Sequence, residues 1–304
     1  MVATPSRLIA RRGAAVVVLV LLACLAVGCS KGSSPDLPDD TSGGPASIDI
    51  STTTDPLADV DPAGAPAVGI CRPTLATAER QAAFESRPAV RCSVRHGGEV
   101  VATFEIPKAT AKKLSAEVIE AGGAPFEKVM GQTGASCNGP ANDAIQQIVD
   151  IDLQGTPFSA AFQATNLGGS YFVPSPDEWH AGERWLVCEV TAVSPDGTSV
   201  AYTGALGQLG RGKLLPDELG ACVDDQLAFV VCKGDVDRAV ASGNVSGSTP
   251  PDDDSALAGC TTLAERLGAK VDDARPLKTR ISKVEEGTYA VFCLLPGPAP
   301  IPRA

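Results

Sequence analysis

Cys92, His96 and Glu99 lie close together in the stretch RCSVRHGGEVVATFEIP, residues 91–107. Thiolate, imidazole and carboxylate are all zinc ligands, so this spacing raises the possibility of a metal site. A structural zinc site uses four ligands, mostly Cys and His, and the chain has only one other histidine, His180. The alternative is that the cysteine belongs to a disulfide scaffold.

The alternation of apolar and polar residues predicts a strand over residues 98–106. The same alternation points Cys92 toward the core with Val94, whereas Glu99 lies on the opposite face. A metal ion would have to collect ligands from both faces of the sheet. We therefore expect no metal and no cofactor, and a polar structural or partner-contact role for His96 and Glu99.

A second group of candidate binding residues occurs in PDEWHAGERWLVC, residues 176–188. Trp179, His180, Arg184 and Trp185 could form a sugar-binding surface, but tryptophans around a turn into a strand are more often packing anchors. No GxSxG motif is present, and GQLGRGKL (207–214) lacks the hydroxyl that a phosphate-binding loop places after its lysine. We expect the protein not to be an enzyme.

The elements that must position these residues are indicated by eight cysteines, which form two groups of four: Cys71, Cys92, Cys137 and Cys188, then Cys222, Cys232, Cys260 and Cys293. Their surroundings match between the groups, as in VGICRPT beside LGACVDD and RWLVCEVTA beside YAVFCLLPG. The chain therefore contains an internal repeat. In the second group, Val236 and Ala239 take the places of His96 and Glu99, so only the cysteine is kept.

Each repeat reads as a strand with a cysteine, a second strand with a cysteine, a third strand, a helix with a cysteine and a late strand with a cysteine. The fold class we expect is α+β: two related small domains, each an antiparallel sheet with a covering helix and two disulfides. Four cysteines allow three pairings. The element order favours the following pairs: Cys71 with Cys92, Cys137 with Cys188, Cys222 with Cys232, and Cys260 with Cys293.

The first repeat carries an insertion, KATAKKLSAEVIEAGG (108–123). Its apolar spacing predicts one helix that ends at Gly122 and Gly123.

Residues 1–28 have the pattern of a bacterial lipoprotein signal peptide, with arginines before an uncharged apolar stretch that ends at a lipobox, LAVGCS. We expect cleavage before Cys29 and acylation of Cys29 with palmitate-type chains. A box ending at Cys24 is the alternative. The localisation that follows is the outer face of the cytoplasmic membrane, where the compartment permits disulfides.

Residues 29–66 are rich in Ser, Thr, Pro, Gly and Asp and predict a disordered acidic tether. Beyond the tether we expect a domain over 67–208, a linker over 209–217, a degenerate second copy over 218–298 and a tail over 299–304. The formal net charge is −11, and loss of the signal peptide removes three arginines. Such a chain repels nucleic acid, so nucleic acid is not an expected partner.

These residues together resemble the septum-formation family of actinobacterial membrane proteins and lipoproteins. The family pattern is similar at Cys71, at Val90-Arg91-Cys92 with His96 and Glu99, at Cys137, at Trp179 with Gly182, Arg184 and Cys188, and at the ending Thr203-Gly204-Ala205-Leu206-Gly207. The resemblance covers residues 68–207. Leu186 replaces a usual valine, and the second repeat lacks the His, Glu and Trp.

The resemblance implies a role connected with septum formation but supplies no catalytic residue and no cofactor. We expect a lipid-anchored envelope protein with a non-catalytic binding or scaffolding role. Its expected partners are the membrane, through the lipid anchor, and an envelope or division protein or peptidoglycan. Two alternatives stay open: a ligand-binding lipoprotein, which requires Trp179, His180, His96 and Glu99 to converge, and an envelope enzyme, which requires a buried carboxylate pair near Glu99.

Overall fold

The structure, a computed structural model, describes residues 64–74, 84, 87–209, 212–232, 236–271 and 276–296. The expected signal peptide with Cys29, nearly all of the expected tether, and the expected tail lie outside the described residues. Within the described ranges, no helix has both the length and the apolar character needed to cross a membrane.

The first sheet consists of four antiparallel strands: β1 (Cys71–Arg72), β2 (Gly98–Glu105), β4 (Leu167–Phe172) and β5 (Trp185–Ala192). Their order across the sheet is β1-β2-β5-β4. β5 is buried along its whole length because both faces of the sheet are covered. A strand buried on both sides reads as a nearly continuous apolar run, and WLVCEVTA fits that description except for its glutamate.

The described residues of this half form six α-helices: α1 (Lys108–Ala111), α2 (Ala116–Ala121), α3 (Gly123–Gly134), α4 (Asn138–Val149), α5 (Pro176–Ala181) and α6 (Leu206–Leu209). The predicted helix end at Gly122 is confirmed, since α2 stops at Ala121, but the insertion 108–123 begins with a separate helix, α1. Ser115 accepts a hydrogen bond from the Val118 N–H and begins a new helix, so α1 and α2 are separate. The main core lies between α4 and the sheet.

The second sheet contains β6 (Ala221–Val223), β7 (Phe229–Val230), β8 (Asp237–Ser246), β9 (Lys278–Glu285) and β10 (Thr288–Pro296), in the order β7-β6-β8-β10-β9. Helix α7 (Asp253–Arg266) covers it and buries Cys260 and Leu263 against the strands. Asp252 caps this helix by accepting a hydrogen bond from the Ser255 N–H at 2.8 Å. The expected α+β class with two related antiparallel sheets is confirmed.

The two sheets repeat the same register. In the first, β1 and β2 pair Cys71 with Glu99, and β5 pairs Cys188 with Ala102. In the second, the corresponding pairs are Cys222 with Arg238 and Cys293 with Ala241. Both ladders contain a β-bulge at the corresponding position, which is beside Val101 in β2 and beside Val240 in β8. The repeat therefore extends from the cysteines to the irregularities of the strands.

Four disulfides join the cysteines in the pairs that the element order favours: Cys71–Cys92, Cys137–Cys188, Cys222–Cys232 and Cys260–Cys293. In each half, one disulfide lies beside the first strand and the other connects the covering helix region with the last strand of the repeat. The disulfides therefore occupy matching places in the two sheets.

A short strand from the first half completes the second sheet. β3 (Ala160–Phe162) pairs antiparallel with β8, and the nearby Phe158 packs in the core under α7. Gln163 then fixes the connecting chain, since its side-chain amide donates to the Lys213 carbonyl and accepts from the Leu215 N–H, both at 2.9 Å. Residues 158–163 thus contribute to the second sheet although they precede β4 in sequence.

Candidate functional site

Cys92 lies in a turn and not in a strand. Residues 91–94 form a turn closed by a hydrogen bond from the Val94 N–H to the Arg91 carbonyl, at 3.0 Å. Val94 is 48% exposed, so the expectation that it points to the core with Cys92 is wrong. Strand alternation does not apply to a turn, which is why the sequence argument about the faces fails here.

His96 is fully buried between the turn and the segment that follows β5. Its backbone exchanges two hydrogen bonds with Tyr202, each 2.9 Å, and the two rings lie 4.2 Å apart, centroid to centroid. Nδ1 lies 2.9 Å from the Val94 carbonyl, which can only accept, so Nδ1 carries the proton. Burial lowers the pKa of His96, and the hydrogen bond to Val94 opposes that effect. The imidazole is therefore neutral, with Nε2 as an acceptor.

Glu99 is also buried, with 1% of its surface exposed. One carboxylate oxygen, Oε2, accepts a hydrogen bond of 2.6 Å from the Leu206 N–H at the first residue of α6. Burial raises the pKa of Glu99 to about 7, and the bond from Leu206 lowers it in part. Glu99 therefore fastens the start of α6 to the first sheet, and its charge state changes near neutral pH.

Glu99 and the Cys71–Cys92 disulfide lie on the same side of the sheet, so the prediction that they face opposite ways is wrong. The Glu99 Oε2 is 3.8 Å from the Cys71 Sγ, and one ligand atom from each of the three residues fits within 4.8 Å. These distances would suit a metal ion if both sulfurs were thiolates. The sulfurs are bonded to each other, which removes the two thiolates that such a site needs.

Sequence reasoning missed Tyr202, which completes this buried group. Its hydroxyl, the His96 Nε2 and the Glu99 Oε1 are buried and have no hydrogen-bond partner among the described residues. Burial raises the pKa of Tyr202 well above its usual value, and the charges of Glu99 and Glu189 add to this effect. Tyr202 lies ten residues after the end of β5, in an isolated bridge with His96, and such a position gives no periodic pattern by which to find it. Three unpaired polar atoms in one core region are suited to internal water.

A second buried carboxylate, Glu189, was also missed. It lies in the middle of β5, forms an ion pair of 2.6 Å with Arg87, and is fully buried. Arg87 in turn stacks on the Phe172 ring, 5.0 Å from its centroid. The sequence signal was available, since Glu189 is the one charged residue in WLVCEVTA. Because Arg87 neutralises this carboxylate on the face opposite Glu99, the two form no paired acid and base.

The second repeat has a charged residue where Glu99 lies in the first. Both residues pair with the first cysteine of their half, Glu99 with Cys71 and Arg238 with Cys222. The assignment of Ala239 to the place of Glu99 is therefore wrong by one position, because the loop after Cys232 is one residue shorter. Arg238 is 5% exposed, donates to the Leu215 carbonyl at 2.6 Å and forms an ion pair with Asp217.

The other candidate residues lie at the opposite end of the first sheet. Trp179 is buried in the main core, and Gly182 ends α5 in the left-handed conformation at φ 105°. That turn places the Arg184 guanidinium over the Trp179 ring, 3.9 Å from its centroid. Trp185 packs in a separate cluster with Ile70. Both indoles are packed into the protein and offer no stacking surface.

The four side chains that the ligand-binding alternative requires do not converge. Glu105 pairs with Trp185 at one end of β2, whereas Glu99 lies six residues away at the other end, roughly 20 Å along the strand. His180 is exposed on α5, and His96 is buried beside Tyr202. The described residues therefore form a buried group around Glu99 and a separate group around Arg184.

The residues that carry the resemblance are thus those that build the first sheet and its two ends. A comparison with protein families matches residues 69–242 to the family described as septum formation, which is more than half of the chain. The match begins just before β1 and extends into β8 of the second sheet. No curated protein and no solved structure matches the chain. The chain belongs to the septum-formation family.

Proposed function

We propose that this protein is a lipid-anchored, non-catalytic component of the machinery that forms the septum, and that it acts on the outer side of the membrane by binding an envelope or division protein or peptidoglycan. Membership of the septum-formation family points to a septum-related extracytoplasmic role, and four disulfides fit that location. The lipid anchor rests on the lipobox before Cys29.

The observation that carries the proposal is the use of the family's polar residues inside the fold. His96 contacts Val94 and Tyr202, Glu99 holds the first residue of α6, and Arg184 stacks on Trp179. A catalytic acid, base or nucleophile must reach a substrate, which the buried side chains of His96 and Glu99 do not. These residues build a rigid, disulfide-linked body, and such a body suits recognition by its surface.

The proposal can be tested in the host bacterium with a strain that lacks the chromosomal copy. We expect a division defect, such as elongated cells or misplaced septa, and septal localisation of a fluorescently tagged copy that restores normal division. Crosslinking in intact cells followed by mass spectrometry is expected to recover an envelope or division protein. Normal division in the deletion strain, together with no envelope partner in the crosslinked material, would contradict the proposal.

The anchor is tested separately with Cys29→Ala. We expect this variant to lose incorporation of a labelled fatty acid and to leave the membrane fraction, whereas Cys24→Ala keeps both properties. Fatty-acid incorporation that persists in Cys29→Ala and disappears in Cys24→Ala would move the anchor to the alternative lipobox. If both variants carry no labelled fatty acid and still remain in the membrane fraction, lipid anchoring itself is overturned.

A further inference from the structure

A groove opens at the end of the first sheet where β2 stops and β5 starts. Its volume is about 460 Å³, and its lining comes from Ala65, from residues 103–105 of β2 and from residues 182–185. The groove is shallow and largely open to solvent. The groove is lined by Arg184 and Trp185 and lies far from His96 and Glu99, so it is separate from the buried group.

Arg184 is held in a fixed position at this groove. Its Nη1 donates to the Trp179 carbonyl at 2.7 Å and to the Glu183 carbonyl at 2.5 Å, while the plane of the guanidinium rests on the Trp179 ring. Arg184 forms no ion pair with any carboxylate in the described part of the chain. A guanidinium that is oriented in advance loses little entropy when it binds a carboxylate through its remaining N–H groups.

Trp185 borders the groove but keeps its indole inside the protein. The residue is 5% exposed, and its Nε1 is buried without a hydrogen-bond partner among the described residues. Indole N–H groups usually find an acceptor when they are buried. The indole N–H is closed off from the groove, so the donor that favours a ligand carboxylate there is the Arg184 guanidinium.

Two carboxylates, Glu105 and Glu183, also line the groove. Glu105 is exposed at the end of β2, and Glu183 is partly buried in the turn before β5. Neither carboxylate forms a salt bridge among the described residues. A ligand with only negative charge would be repelled by this pair, whereas an ammonium group would be attracted.

We propose that this groove binds a small zwitterion of the amino-acid class, with its carboxylate on Arg184 and its ammonium group on Glu105 and Glu183. The ligand is a free amino acid or a short peptide whose end carries both groups, as extracellular wall peptides can. This binding site goes beyond the proposed septal role, which requires no small ligand.

The test uses the full mature protein and its intrinsic fluorescence, because Trp179 and Trp185 are the only tryptophans in the chain. Pools of free amino acids, dipeptides and muropeptides from digested cell wall are titrated, and hits are confirmed by calorimetry. Alanine is compared with its two half-ligands, propionate and ethylamine. We expect saturable binding of one zwitterionic pool, with each half-ligand at least about tenfold weaker.

Matched variants separate groove binding from general effects. Arg184→Lys keeps the charge but loses the planar fork, and we expect roughly tenfold weaker binding. Glu105→Gln with Glu183→Gln is expected to weaken binding of the zwitterion but not of propionate. Arg91→Gln removes an exposed arginine outside the groove and is expected to change nothing. Melting curves verify that each variant is folded. If Arg184→Lys unfolds, the double variant Glu105→Gln with Glu183→Gln decides whether the ligand binds in the groove.

The two ligand sources give different results. Binding of single amino acids identifies a free amino acid, and binding confined to dipeptides or muropeptides identifies a peptide end. The proposal is overturned if no pool gives saturable binding up to about 10 mM. It is equally overturned if Arg91→Gln weakens binding as much as the groove variants, or if propionate binds as tightly as alanine.

Discussion

The two sheets share a strand order, a β-bulge and two disulfide positions, but they differ in the residue that faces the first cysteine. The first sheet has Glu99 there, and the second has Arg238. Each binds the chain that connects the halves: the carboxylate accepts from the Leu206 N–H, and the guanidinium donates to the Leu215 carbonyl. The charges are opposite because the backbone groups that they bind are opposite.

The comparison separates the features that define the fold in both halves from the residues that differ between them. Cysteines and register recur in both halves, so they define the fold, whereas the buried polar position changes with its local partner. Arg238 has an ion pair with Asp217, whereas Glu99 has no ion pair among the described residues that offsets its burial. We therefore expect the first half to be the one whose stability depends on pH.

The largest expected effect comes from the disulfides that link helix and sheet. The Cys137–Cys188 bridge closes a loop of 51 residues, and the Cys222–Cys232 bridge closes one of 10. On the chain-entropy account, replacing both cysteines by alanine costs about 4 kcal/mol of unfolding free energy for the first pair and about 3 kcal/mol for the second. Denaturant unfolding of the two double variants measures the two losses of unfolding free energy. A larger loss for the Cys222–Cys232 variant than for the Cys137–Cys188 variant would contradict this prediction.

The next effect is the pH dependence of Glu99. Its pKa is raised to about 7 in the folded protein from an ordinary value of 4.5, so the folded state prefers the protonated form. The resulting stabilisation is complete below pH about 4.5 and is lost as the pH rises through about 7, which amounts to roughly 3 kcal/mol. Glu99→Gln keeps an acceptor for the Leu206 N–H and is expected to remove this slope.

His96 contributes in the opposite direction, since its lowered pKa makes the folded state lose stability below pH about 6.5. The difference between wild type and Glu99→Gln isolates the glutamate, because His96 is present in both. Unfolding curves at pH 5, 6, 7 and 8 provide the comparison. Equal slopes for the two proteins would show that Glu99 has an ordinary pKa.

A smaller effect is expected at Arg238. Arg238→Met keeps much of the apolar length of the side chain but leaves the buried Leu215 carbonyl without its donor, which costs about 2 kcal/mol. Most of this loss of stability comes from the unpaired Leu215 carbonyl, because Asp217 is half-exposed and solvent weakens its ion pair with Arg238. Stability of this variant should show no additional pH slope between pH 5 and 8. A new slope in that range would assign to Arg238 a role that we give to Glu99.

The sequence was sufficient for the scaffold because the information is local and repeated. Two cysteine groups in matching surroundings predicted the four pairings, and the periodicity of GEVVATFE predicted β2. The position of β3 in the second sheet was not predictable, since pairing between distant strands leaves no trace in a three-residue segment. The family signature marked His96, Glu99 and Arg184 but not their surroundings.

The errors at the site have one cause, a loop read as if it were regular. Strand alternation does not apply to Cys92, because it lies in a turn. The prediction that Cys92 and Glu99 lie on opposite faces of the sheet is therefore wrong. Ala239 was aligned with Glu99 by counting from Cys232, and one missing loop residue shifted the count away from Arg238. Loop length is free to vary while strand register is fixed by the core, so counting across a loop loses the register.

The most direct test of the account is disulfide mapping by mass spectrometry on the purified, non-reduced mature protein, together with free-thiol and zinc analysis. We predict four bonds, Cys71–Cys92, Cys137–Cys188, Cys222–Cys232 and Cys260–Cys293, with no free thiol among these eight cysteines and no zinc. A free thiol at Cys92 with stoichiometric zinc that is lost in His96→Ala would contradict the scaffold and establish a metal site in its place.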